Sequence, residues 1–143
     1  MNLGLMSKAL ELIKNISELC KKVVDASDGE KYAKSVNDLN DGVSNTYNEM
    51  RKIIAESNKF SDEEKIAKLS ELALQEEESK RRCGEAIQGN RESIANIVME
   101  VFKGLLTCGI YFMPAIINNL KKTTNEINSS ISDNLLPENK TDK

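Results

Sequence analysis

A stretch without a single formal charge, Gly104 to Leu120, lies in a chain of which 30% is charged. It reads GLLTCGIYFMPAIINNL and follows Ile94 to Phe102, which is already apolar at helical spacing. A helix that is apolar on every side has to be covered on every side. The segment therefore has three destinations: the buried spine of a helical bundle, a surface for a partner, or an element that seeks a membrane.

Glu100 and Lys103 mark an outward side as far as Lys103. Beyond that point Leu105, Leu106, Ile110, Phe112, Met113, Ile116 and Ile117 ring the helix, and these residues form the candidate partner or membrane surface. The run reaches the lower edge of a membrane-spanning length, roughly 17 residues. Lys103, Lys121 and Lys122 flank it, and Tyr111 suits an interface. Asn118, Asn119 and the central Pro114 weigh against insertion, so burial in protein ranks first.

The rest of the chain reads as amphipathic helix. Ala9, Leu12, Ile13, Ile16, Leu19, Cys20 and Val23 recur every three or four residues, which predicts a first helix over Leu5 to Ala26. Ser27 and Glu30 then have the spacing of a capping box. A second helix over Glu30 to Ser57 carries the stripe Tyr32, Val36, Leu39, Val43, Tyr47, Met50 and Ile54, a coiled-coil-like seam. Ser61 and Glu64 form another capping-box pattern, with Asp62, Glu63 and Glu64 at the positive end of the helix dipole. Ile66, Leu69, Leu72 and Ala73 supply the third stripe. From Gln75 to Arg82 the sequence QEEESKRR has no apolar residue, and this part is expected to project into solvent or lie at a bundle end.

Between residues 62 and 113 the sequence allows one long helix or two. Gly89 as a left-handed C-cap and Asn90 as the next cap favour a break. Pro114 predicts a kink or break near Tyr111 to Met113. After Thr123 the Asn/Ser/Lys-rich sequence reads as loose, although Ile127, Ile131, Leu135 and Leu136 retain a weak amphipathic pattern. The expected fold is all-α, an elongated antiparallel helical bundle of three or four main helices. Residues 1–122 form its single domain and 123–143 a weakly structured tail.

The 143 residues suffice for one ordinary core. A formal net charge of −3 supplies no basic field, so nucleic acid is not an expected partner. Lys80, Arg81 and Arg82 adjoin Glu76, Glu77 and Glu78, which largely cancel them. Cys20, Cys83 and Cys108 lack the close spacing of a metal or redox motif and read as buried, reduced thiols. The N-terminal MNLGLMSKALELIKN lacks both a basic leader and an unbroken apolar core, so a standard signal peptide is not expected. Cytoplasmic location is the expectation, with membrane association or leaderless export as alternatives.

Catalysis finds little material here. The chain contains no histidine, the commonest base and metal ligand near neutral pH. Cys83 follows two arginines, but residues one and two apart on a helix face different ways. Asp38 and Asp41 lack the remaining ligands of a calcium loop. No phosphate-binding glycine loop or hydrolase elbow occurs, and neither cofactor nor metal is expected. The composition points to a non-enzymatic interaction protein, an accessory, chaperone, immunity or assembly subunit that binds a protein or a second copy of itself. The alternative is a membrane-active or membrane-associated helical protein that uses residues 104–120.

Overall fold

The computed structural model describes residues 3–112 and 114–141, with side-chain surroundings for 4–112 and 114–131. Five helices follow one another: α1 (Leu3–Asp25), α2 (Gly29–Glu56), α3 (Asp62–Ile87), α4 (Glu92–Thr107) and α5 (Pro114–Thr141). There is no strand among the described residues. The all-α expectation holds, while the helix count exceeds the three or four expected.

The extra helix comes from where the chain turns. After α3, Gly89 adopts φ +100. Its N–H donates to the Ala86 carbonyl, and that of Asn90 donates to the Glu85 carbonyl, both at 3.0 Å. After α4 the pattern recurs: Gly109 at φ +84 donates to Leu106, and Ile110 donates to Leu105. Both are Schellman motifs, in which a left-handed residue lets the last carbonyls of the helix find donors. The break at Gly89 was legible in the sequence. At the second break, Gly109 ends α4 before Pro114 is reached. Pro114 instead opens α5, where its missing N–H costs nothing. The kink or break expected near Tyr111 to Met113 is a break, since α4 ends at Thr107 and α5 begins at Pro114.

Two caps differ in kind. Ser61 and Glu64 form the expected box: the Glu64 N–H donates to Ser61 Oγ at 3.1 Å, and the Ser61 N–H donates to Glu64 Oε1 at 3.0 Å. At α2 the expected Ser27–Glu30 box does not form. Asp28 is the N-cap, accepting from the Lys31 N–H at 2.8 Å. With Gly29 as the first helical residue, the third position falls on Lys31, which has no carboxylate to reach back.

α4 packs against each of the other four helices and is the spine. Its Ile94, Ile97, Val98, Val101 and Leu105 are fully buried. Against them lie Ile16, Cys20 and Val23 of α1 and Val36, Leu39, Val43, Tyr47, Met50 and Ile54 of α2, in one core cluster. The α2 seam is thus buried as its periodicity requires, with Tyr32 only partly covered. α5 adds Leu120, Ile127 and Ile131. Its helical backbone continues through Thr141, into the 123–143 stretch whose composition reads as loose.

α3 is the helix the sequence misplaces. Its inward line is Leu72, Ser79, Cys83 and Ala86, with Leu69 partly covered. Extended backwards, that line runs past Ile66, which is therefore exposed rather than part of the core. The QEEESKRR stretch does not project from the bundle. It docks through polar groups: Arg51 of α2 meets Glu76 at 2.7 Å, and buried Tyr47 lies 3.2 Å from buried Ser79. The Tyr47 hydroxyl also donates to the Glu100 carbonyl of α4 at 3.4 Å, which joins three helices at one phenol.

Candidate interaction site

The uncharged segment divides into inward and outward parts. Leu105 and Ile110, the two ends of the second Schellman motif, are fully buried, as apolar residues at those positions commonly are. Phe112 is buried against Phe102, ring centroids 5.2 Å apart and planes at 37°, a tilted pair. Phe60, in the α2–α3 connector, covers Gly109 so closely that a Cβ there would come within 2.9 Å of its ring. The Lys68 ammonium sits 4.5 Å from the Phe60 ring centroid and donates to the Thr107 carbonyl at 3.0 Å. A cation thus closes the negative end of α4.

Other candidates face outward to different degrees. Leu106 is 37% exposed and Tyr111 70%. Ile116 and Ile117 are half-buried and pack against the core. Ile116 also lines an open groove of about 450 Å³ with Leu10, Ile13, Ser17 and Leu120, between α1 and α5. Met113 lies outside the described residues. The candidate residues therefore do not form one face: Leu105, Ile110 and Phe112 complete the chain's own core, while Leu106 and Ile116 meet solvent in separate places.

Sequence reasoning missed the most exposed aliphatic side chains among the described residues, Ile66 (66%), Leu74 (67%) and Ile87 (59%), all on α3. Their signal was present. Ile66 and Leu74 stand two turns apart, on the side away from the Leu72–Ser79–Cys83 line. A search for core stripes takes an isoleucine near the start of a helix as core.

The chemistry available at this surface is limited. Cys83, the thiol beside two arginines, is buried, and burial pushes it up to about 11 despite the pull of Lys80. Burial pushes Cys108 up to about 12, and its thiol lies 3.6 Å from the Met50 carbonyl. Cys20 is raised further, first by burial and then by Cys83. Such thiols act as small hydrophobes rather than nucleophiles. The backbones of α1 and α3 do not approach each other: the Cα atoms of Cys20 and Cys83 are more than 8 Å apart, beyond disulfide reach. No group of His, Cys, Asp or Glu among the described residues is arranged to hold a metal ion. Glu76 and Glu78 are engaged by Arg51, Lys80, Arg81 and Arg82.

No helix among the described residues is long and apolar enough to cross a membrane. The class defined so far is an all-helical protein of five packed helices with apolar side chains exposed on α3. Comparison with protein-family models, with curated proteins and with solved structures finds no match that would narrow it.

Proposed function

We propose that this elongated antiparallel bundle is a non-enzymatic interaction protein, an accessory, chaperone, immunity or assembly subunit that binds a protein or a second copy of itself by helix packing. The observation that carries the reading is the exposure of Ile66 and Leu74 on α3. A helix whose inward face is already occupied has no internal use for large apolar groups on its outer side. Charged neighbours such as Glu63, Glu77 and Arg81 would form the rim that selects a partner. Three unpaired thiols suit a reducing compartment such as the cytoplasm.

The test compares wild type with an Ile66→Asp/Leu74→Asp double variant, by sedimentation and by crosslinked capture in the native cell. Wild type should self-associate or retain a defined partner, and the variant should lose that association while keeping its helix content. Identical association by both proteins would contradict the reading.

A membrane-associated role is the second reading, and the exposed Tyr111 beside half-buried Ile116 and Ile117 favours it. It requires liposome flotation that disappears on Tyr111→Asp. Absence of flotation by folded wild type removes it.

A further inference from the structure

α3 is held differently from its neighbours. Between Asp62 and Lys80 its buried residues are Leu72 and Ser79, whereas α4 buries five large aliphatic side chains completely. Over that stretch the apolar ties are Leu72 and partly buried Leu69, and the remaining ties to other elements are polar. Arg51 donates to Glu76 at 2.7 Å, Tyr47 meets Ser79 at 3.2 Å, Gln75 Nε2 donates to Thr107 Oγ1 at 3.2 Å, and Lys68 donates to the Thr107 carbonyl. Water can take over each such bond at small net cost.

Docking also carries a penalty that undocking removes. Gln75 Oε1, within that stretch, is buried without a protein hydrogen-bond partner. Burial of an unsatisfied polar atom is unfavourable, and exposure to water relieves it.

The helix meanwhile supports itself. It has its own capping box and three acidic residues in its first turn. Within the stretch Lys80 reaches Glu76 at i,i+4 spacing, and just beyond it Arg81 and Arg82 reach back to Glu78. Such pairs stabilise a helix that has no neighbour. The far end is anchored instead: Cys83 and Ala86 are buried, and the Tyr32 hydroxyl donates to the Ala86 carbonyl at 2.5 Å.

We propose that the Asp62–Lys80 part of α3 is a detachable arm. It leaves α2 and α4 within the reach of the 57–61 connector, its C-terminal end staying anchored while α1, α2, α4 and α5 stay packed, and once undocked its helix frays and exchanges its amides. Opening breaks the Lys68–Thr107 hydrogen bond and bares Tyr47 and the Gly104 flank of α4. The device does not depend on the interaction reading, because the arm opens without a partner and a partner can bind the closed α3.

Native-state hydrogen exchange of the full chain, read by mass spectrometry, tests it in wild type and Leu72→Ala. Amides of residues 66–80 should exchange at least about tenfold faster than those of 43–54 and 97–105, as expected of a unit with its own opening equilibrium. Leu72→Ala weakens the closed state against the opened and the fully unfolded state alike, so it should speed exchange across 66–80 while a gap of at least about tenfold to 43–54 and 97–105 persists. Two results would overturn the proposal: α3 protected as strongly as α2 and α4 in wild type, or Leu72→Ala leaving the exchange of 66–80 unchanged.

Discussion

At position 109 a side chain would meet two obstacles at once. The backbone there is left-handed, which costs an L-residue about 1–2 kcal/mol, and a Cβ would press on the Phe60 ring. Position 89 shares the left-handed backbone but opens onto empty space. Gly89→Ala should therefore lose about 1 kcal/mol in urea denaturation, and Gly109→Ala distinctly more. Equal losses would mean that Phe60 yields freely. A second residue-scale expectation concerns pH. Thiols in an unfolded chain ionise from about pH 8.5, whereas burial holds Cys83 and Cys108 at about 11 and about 12. Above pH 8.5 the unfolded state therefore sheds protons that the folded state keeps, so the thiols' contribution to stability falls as pH rises and is constant below that point. The urea midpoint should drop between pH 8.5 and 10, and the drop should shrink in Cys83→Ala/Cys108→Ala. A slope unchanged by the substitutions would contradict the burial of these thiols.

At the scale of elements, legibility follows how each helix is held. The α2 stripe could be read because seven apolar residues at alternating four and three spacing have one plausible use, and all but Tyr32 are buried. The α3 start was equally plain, because a capping box is a local device encoded within four residues. Ser61→Ala should lower stability by about 1 kcal/mol in a thermal melt with little change elsewhere, and an unchanged melt would show that the cap is dispensable. The docking of α3 was not legible. Its middle binds through Glu76, Ser79 and Gln75 to partners on α2 and α4, and hydrogen bonds between helices leave no periodic mark in sequence. The break after α4 was expected from Pro114, a conspicuous breaker, whereas Gly109 earlier in the chain takes the turn, with Phe60 and Lys68 in place to cover it.

For the whole molecule, the uncharged segment acts as internal structure first and as surface second. α4 touches every other helix, and Leu105, Ile110 and Phe112 close the core at the point where the chain turns into α5. Among the described residues the large apolar groups left outside are Leu10, Leu106, Tyr111 and, on α3, Ile66, Leu74 and Ile87, so the surface proposed for a partner shifts toward α3. The site was only partly legible because a run without charge announces that it must be covered, not what covers it. That becomes visible once α1, α2 and α5 are folded around α4. Thermal unfolding of Leu105→Asp beside Leu74→Asp, followed by circular dichroism, tests this division most directly. The account predicts that Leu105→Asp abolishes the cooperative transition, since an unpaired charge would be buried at the spine, while Leu74→Asp melts like wild type. A wild-type melt for Leu105→Asp, or collapse of Leu74→Asp, would contradict it.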